Sequence, residues 1–288
     1  MSQKKKQAYT EDKIKTLSSL EHIRLRTGMY IGRTGSGAHY DDGIYILVKE
    51  VIDNGIDEFI MGHGERINVS IEDDMVTIRD FGRGIPLGKV IDCVSKINTG
   101  AKYNDDVFQF SVGLNGVGTK AVNALSTYFL VRSHREGEFV EAEFEAGNLV
   151  REEKGKTDEP NGTLVSFSPD PSIFKKFTFN PDHLARRLRF YAYLNAKLKI
   201  WLNGELFHCK GGLLDLIADE SQFEKIYPPF HYSDTTLEFA FTHTNRFSEE
   251  YYSFVNGQYT SDGDTHLSAF REGLLRGIND FANKKFSG

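Results

Sequence analysis

An α+β fold is predicted by two hydrophobic periodicities that alternate along the chain. Between Asp41 and Ile60, apolar Ile44, Leu47, Val48, Val51, Ile52, Ile56, Phe59 and Ile60 recur at helical spacing behind an aspartate suited to cap the first turn. Directly afterwards Ile67, Val69 and Ile71, the turn-forming Asp73-Asp74, and then Val76, Ile78 and Asp80 alternate with period two and read as a hairpin. Asp80 falls in phase with the buried side of that hairpin. Residues 128–168 carry further strand alternation with REGE and NGT as turns, and residues 182–216 return to helix, strand and helix. Beyond residue 218 come strand-like YYSFVNGQY and a helix with Leu267, Phe270, Leu274, Leu275, Ile278 and Phe281 on its apolar face. The first domain is expected to span 1–218, and 219–288 to be the start of a second domain that is cut short.

The 288 residues suffice for two domains, and 39% hydrophobic with 26% charged residues is the mix of a globular chain. Cys93 and Cys209 have neither the number nor the spacing of a disulfide framework or a zinc site. The basic start MSQKKKQAYTEDK leads into no apolar core, and no apolar run is long enough to span a bilayer, so a cytoplasmic protein with no membrane partner is expected. A formal net charge of -6 argues against strong nucleic-acid binding by this chain alone, because phosphate neutralisation by Lys and Arg dominates that affinity. Arg186, Arg187 and Arg189 read as the solvated face of a helix with Phe190 and Leu194 beneath.

Chemistry concentrates in three places. On the long helix Glu50, Asp53, Asn54, Asp57 and Glu58 crowd the face opposite the apolar stripe, where like charges one turn apart repel. One reading is a merely solvated acidic face. The other puts the amide oxygen of Asn54 on Mg²⁺ and sets Glu50, one turn earlier, to orient and deprotonate a water attacking a terminal phosphate. Next, Asp80 ends its strand in DFGRGIP, and a buried carboxylate there needs a donor. A neighbouring Arg or backbone amide would serve, as would the exocyclic amine of adenine, with Gly82 and Gly84 letting backbone approach the base. Thr163 in NGTLVSF alternates with Val165 and Phe167 and reads equally as a core threonine or as part of the same pocket. Lastly, a polar stretch from Asn98 to Ser111 leads to GLNGVG and a helical TKAVNALS. Thr119-Lys120 reverses the order a P-loop requires, and the Rossmann glycine spacing fails. An anion cradle remains, with Gly113, Gly116 and Gly118 admitting phosphates to backbone N–H groups and Lys102 adding charge.

Taken in order, E-x-x-x-N on a helix, D-x-G-x-G at a strand end, G-x-x-G-x-G before a helix and a later G-T form a joint pattern that resembles the GHKL ATPase superfamily with its Bergerat fold. The flanking GMYIG, VIDNGIDE, GRGIP, AVNALS and DGDTHLSAF narrow the resemblance to B subunits of bacterial type IIA DNA topoisomerases, over nearly the whole chain. It implies a two-layer α/β sandwich with an N-terminal dimerisation arm, followed by part of a transducer domain of ribosomal-protein-S5-like type. It also implies Mg²⁺ and ATP beneath a lid from Asn98 to Val117, with Glu50 as general base, Asn54 as magnesium ligand and Asp80 as adenine reader. Arg83, Gly84 and Pro86 would lie at the base pocket, and Thr163 would reach adenine through water. Lys102 and the loop of Gly113, Leu114, Asn115, Gly116, Val117 and Gly118 would hold phosphates. Tyr9 and Ile14 stand where the arm crosses to the other protomer, so ATP would gate a homodimer. In the whole enzyme that gate captures a DNA duplex for passage through a break made by the A subunit.

Asn115 stands where gyrases usually have His, which favours the topoisomerase IV type, and Glu141 falls near where gyrases often present an Arg used by coumarin antibiotics. The family's Gln-Thr-Lys motif, whose Lys enters the site from the second domain, does not occur before Gly288, so weak or no turnover is expected. His266 in DGDTHLSAF reads as a capping or packing group. Two alternatives stand beside this reading: another GHKL ATPase, and a catalytically silent nucleotide-gated dimerisation module in which Glu50 would be dispensable.

Overall fold

The apolar stripe ahead of Met61 folds as α3 (Gly43–Ile60), and Ile44, Leu47, Val48, Ile52 and Ile56 on it are sealed from solvent. The computed structural model describes residues 16–100, 116–260 and 265–286. Before α3 lie α1 (Ser19–Leu25), started by a capping box of Ser18 and Glu21, and the single turn α2 (Gly28–Ile31). Asp42 occupies the N-cap position of α3, yet its carboxylate does not cap the helix. It accepts instead from the N–H groups of Gly37 and His39 at 2.8 and 3.2 Å and pairs with Arg33 at 2.8 Å, so it organises the preceding loop.

The predicted hairpin forms as β1 (Arg66–Glu72) and β2 (Met75–Asp80), paired from Glu72 with Met75 to Ile67 with Asp80. Asp73 takes a left-handed turn conformation at φ 55, which Asp tolerates better than most side chains. After α4 (Val90–Ser95) and α5 (Gly118–Ala124) the chain lays down β3 (Ser126–Arg135), β4 (Glu138–Glu145), β5 (Asn148–Lys156) and β6 (Gly162–Pro169). Then follow α6 (Pro171–Phe174), α7 (Pro181–Leu194), β7 (Lys199–Leu202) and β8 (Glu205–Phe207). These strands make one eight-stranded sheet in the order β5-β4-β3-β6-β2-β1-β7-β8, antiparallel except where β1 runs parallel to β7. Strand β6 enters between β2 and β3, so the Asp80 end of β2 meets the Thr163 end of β6.

One face of the sheet is covered by helices. The in-phase residues Ile67, Val69, Val76, Ile78, Phe129, Val131, Val165 and Phe167 are buried beneath them, while Asn68, Ser70, Thr77, Leu164 and Ser166 of the opposite phase are half-buried. In α7, Phe190 is buried while Arg186 and Arg189 are exposed, as the solvated-face reading expects, whereas Arg187 is half-buried and donates to the Tyr40 carbonyl at 2.9 Å.

Beyond the sheet, α8 (Leu213–Glu220) packs on α7 and on the hairpin of β9 (Phe230–Ser233) and β10 (Glu238–Phe241). That hairpin carries an aromatic ladder, with Tyr232 stacked on Phe239 at 5.4 Å. The YYSFVNGQY stretch is a tight hairpin of β11 (Phe254–Val255) and β12 (Gln258–Tyr259), whose Asn256 and Gly257 both have positive φ, as a type I′ turn demands. Tyr259 stacks on Phe190 of α7 at 5.1 Å, which ties this hairpin to the larger sheet. Helix α9 (Thr265–Phe286) forms as expected, with Leu267, Phe270 and Leu274 half-buried and Phe270 on Phe239 at 5.0 Å, but Leu275, Ile278 and Phe281 are 61%, 51% and 60% exposed. His266 accepts from or donates to Ser253 and Thr260 and so packs the hairpin against the start of α9. Among the described residues no helix is long and apolar enough to cross a membrane.

This division of burial predicts a division of stability. Phe167→Ala in the sheet core should cost about 3–5 kcal/mol, whereas Phe281→Ala on α9 should cost less than about 0.5 kcal/mol. Urea unfolding followed by the fluorescence of Trp201 reads both, and equal costs would contradict the burial pattern.

Candidate functional site

Where α3 leaves the sheet, a cavity of about 550 Å³ opens between it, the end of β2, α4 and the start of α5. That volume lies in the range that holds a nucleotide-sized ligand. Ile78, Val131 and Val165 form an apolar floor, Asp80 and Thr163 one end, and Glu50, Asn54, Gly116 and Gly118 line it from α3 and α5.

Asp80 is 9% exposed. Its Oδ1 accepts the N–H groups of Gly82 at 2.9 Å and Thr163 at 3.2 Å, which joins the turn after β2 to the start of β6. Burial pushes its carboxyl up to about 6 against the pull of those two donors and of Arg79. Among the described residues no hydrogen bond is made to Oδ2. Of the two partners left open, backbone amides hold one oxygen, and the guanidinium of Arg79 turns instead to the carbonyls of Asp80 and Pro160. Gly84, at φ +77, has no room for a side chain: a Cβ there would meet the carbonyl oxygen of His134 at 2.6 Å. With Ile85 and Pro86 it lines the same end of the cavity.

The acidic face of α3 is not a solvated one. Asp53 and Asp57 are both 1% exposed. Asp53 takes Lys49, Tyr191 and Gln258 as partners, and Glu58 takes a two-pronged bond from Arg83 at 3.0 and 2.9 Å plus the Arg83 N–H. Burial raises the Glu58 carboxyl, and the Arg83 bonds more than offset this, leaving it below its ordinary value. Arg83 therefore lines the cavity with its guanidinium engaged by Glu58. The side-chain amide of Asn54 donates to the Glu50 carbonyl at 2.9 Å and to the Thr119 hydroxyl at 3.0 Å. Both N–H directions being used, Oδ1 is the ligand-capable end. Among the described residues no group of three or more His, Cys, Asp and Glu is arranged to hold a metal. A site with one neutral oxygen suits only a hard cation that takes its remaining ligands from water and phosphate, and Mg²⁺ fits that description.

Glu50 lies against Gly118, where a Cβ would stand 1.9 Å from Oε2, so a side chain there would displace the Glu50 carboxylate. Val117, whose backbone is expected among the phosphate contacts, packs its side chain on the hydrophobic core. Tyr9, Ile14, Lys102, Gly113, Leu114 and Asn115 lie outside the described residues.

Several lining residues are not foreseen by the sequence patterns. Lys120, 4% exposed, sends its ammonium to the carbonyls of Thr99 at 2.7 Å and Gly116 at 2.5 Å, bracing the two ends of the 101–115 stretch. Arg135 lines the cavity from the end of β3, and only its place beside the REGE turn marks it in the sequence. Glu141, expected near an inhibitor-contacting position, is on β4, buried between Arg132 and Arg151 and away from the cavity; Arg135 is the arginine of this region that reaches it. Gln258 arrives from β12, far along the chain, with no local pattern to announce it.

A buried carboxylate at an apolar cleft, an Asn–Glu pair on α3 and a glycine-led helix beside it are the arrangement expected of a GHKL ATPase, and similarity to known proteins gives that class. A family model described as "Histidine kinase-, DNA gyrase B-, and HSP90-like ATPase" matches residues 39–172, and one described as "DNA gyrase B" matches residues 206–287. The B subunit of DNA topoisomerase 4 from Borreliella burgdorferi is 59% identical over 284 residues, covering 98% of this chain and 47% of that protein. The B subunit of DNA gyrase from Thermotoga maritima is 37% identical over 306 residues, covering 96% and 47%. The crystal structure of the 43K ATPase domain of Thermus thermophilus gyrase B in complex with an aminocoumarin matches with a TM-score of 0.76 at 32% identity, covering 94% of this chain and 75% of that one. The chain belongs to the family of ATPase regions of type IIA topoisomerase B subunits, a family whose ATPase domain implies ATP binding. It spans about half the length of the curated relatives it matches.

Asp80 gives this site a pH signature before any ligand binds. Its folded value of about 6 is raised above the open-chain 3.8, so the stability it contributes is full below about pH 4 and is lost as pH climbs through about 6. The loss should approach about 3 kcal/mol at most. Denaturant unfolding at several pH values should show Asp80→Asn lacking that slope; parallel curves for the two proteins would contradict the assignment.

Proposed function

We propose that the chain binds and hydrolyses Mg·ATP and couples nucleotide binding to homodimer closure in a cytoplasmic type IIA topoisomerase of the topoisomerase IV type. Asp80 is the observation that carries this reading: a buried carboxylate with one oxygen committed to backbone donors and the other turned to an apolar cleft is built for a neutral planar donor such as the adenine amine. Gly84 and Pro86 would then flank the base, and Thr163 would reach it through water. The 59% identity to a topoisomerase 4 relative against 37% to a gyrase relative supports the type.

At the other end the phosphates would meet the N–H groups of Gly116, Val117 and Gly118 where α5 begins, with the residues 113–115 and Lys102 completing the cradle. Glu50 would orient the attacking water and take its proton as the bond to the γ-phosphorus forms and the ADP oxygen leaves, a role worth about 10²–10⁴ in rate. Bound through Asn54, Mg²⁺ would supply charge neutralisation on the phosphates. Residues 1–218 would form the ATP-binding domain, with Tyr9 and Ile14 on the arm that crosses to the second protomer, and 219–288 part of the transducer. In the complete enzyme the closing dimer would capture DNA for passage through a break held by the A subunit. The net charge of -6 fits DNA contacts made elsewhere.

Calorimetric titration with Mg²⁺ and a non-hydrolysable ATP analogue should show Asp80→Ala binding about 10- to 100-fold more weakly than wild type, the cost of a hydrogen bond to a buried charge. Equal binding by a folded variant would sink the adenine assignment. Glu50→Gln should bind normally and hydrolyse nothing; hydrolysis at the wild-type rate would remove Glu50 from the general-base role. The same analogue should convert the chain from monomer to dimer in sedimentation velocity, and an unchanged sedimentation coefficient at saturation would refute nucleotide gating.

A further inference from the structure

Asp53 is enclosed between three elements. Lys49 of α3 donates to its Oδ2 at 2.7 Å, Gln258 of β12 donates to the same oxygen at 3.1 Å, and Tyr191 of α7 donates to Oδ1. A structural tie of hairpin, helix and helix would be complete with the two neutral donors. The buried charge, however, requires a counter-charge, and Lys49 provides it. Lys49 also faces a second acid: its ammonium is 3.5 Å from Oε1 of Glu50, an ion contact longer than a hydrogen bond. Its side chain is 16% exposed and that of Glu50 26%, so the contact is made at the cavity wall with little water to screen it.

We infer that Lys49 is a positioning residue for Glu50, clamped by Asp53, which Tyr191 and Gln258 hold in turn; this rests on the reading of Glu50 as general base. A cation beside a base fixes its direction but lowers its proton affinity. Asp53, one hydrogen bond further on, holds the Lys49 ammonium in place beside Glu50. Gln258 makes the clamp depend on the hairpin that follows the sheet. A shift of β12 relative to α3 alters the hold on Asp53 and, through Lys49, the aim of the carboxylate.

The test is single-turnover hydrolysis of Mg·ATP with the chain in excess, which reads slow chemistry, beside calorimetric affinity for a non-hydrolysable analogue. Lys49→Met should slow hydrolysis by about 10- to 100-fold, the effect of a base displaced by about an ångström, with affinity changed less than about threefold. Lys49→Arg should recover most of that rate. Because Lys49→Met strands the Asp53 charge and can unfold the protein, the double variant Lys49→Met with Asp53→Asn removes both charges while keeping Tyr191 and Gln258 bonded. It should show the same slow hydrolysis at near-normal affinity. A folded double variant as fast as wild type, while Glu50→Gln is inactive, would overturn the role of Lys49. So would rate and affinity falling together without rescue by Arg, which would mark the residue as structural only. If Glu50→Gln hydrolyses at the wild-type rate, the general-base reading fails first and this inference falls with it.

Discussion

The close approach of α3 to the sheet is the constraint on which the site depends, and Gly55 is what permits it. A Cβ at that position would meet Ile67 Cδ1 at 2.9 Å and Asp80 Cβ at 3.2 Å, so the helix lies on the end of β1 and β2 with no side chain between. On the same helix Asn54, beside Gly55, and Glu50, about one turn before it, reach the start of α5, where Asn54 bonds Thr119 and Glu50 lies against Gly118. Gly118 repeats the device there, against Glu50. Two glycines thus set the two ends of the cleft at once, one by letting helix touch strand and one by letting helix touch helix. The cavity is the space left where α3 diverges from the sheet between those contacts.

Packing that close brings a run of acids indoors, and each is stabilised differently. Asp53 is given a lysine and two neutral donors, Glu58 an arginine fork, and Asp80 only backbone N–H groups. The difference has consequences. Paired carboxylates are locked in place and inert, whereas Asp80 sits near its titration point with an oxygen facing the cleft. A ligand amine there would replace the solvation that burial removed, which is how a costly buried group becomes a specificity element.

What was legible in the sequence followed from periodicity. The helical stripe of α3 and the alternation of β1 and β2 set Asp80 in the buried phase before any coordinates, because period-two and period-3.6 patterns dictate facing directly. Less was legible where a side chain chose among partners. Asp42 had the right place for a helix cap and served the loop before it, because Arg33 and two loop N–H groups compete for the same oxygens. The acidic face of α3 left solvent and pairing equally open, since its counter-groups Arg83, Tyr191 and Gln258 come from other elements. Arg135 and Gln258 could not be found locally at all: one is reached by strand pairing and the other by a hairpin packed through Phe190.

Charge compensation in the cleft also bears on how a triphosphate could be held. Lys120 stands in the helix that would receive the phosphates, yet its ammonium is bound to the carbonyls of Thr99 and Gly116 and braces the loop ends. Lys49 is turned to Asp53 and Glu50, and Arg83 to Glu58. Lys49, Lys120 and Arg83 are thus already engaged by acids and carbonyls, Arg135 contacts Glu136 and the Gly84 carbonyl only at 3.4 and 3.5 Å, and backbone N–H groups are what the α5 side of the wall presents to an anion. Partial charges of that kind orient a phosphate chain well but neutralise little of it, and Glu50 stands beside them. A polyanion held here would draw much of its counter-charge from a cation that arrives with the nucleotide, which is the condition under which a single neutral ligand such as Asn54 is enough.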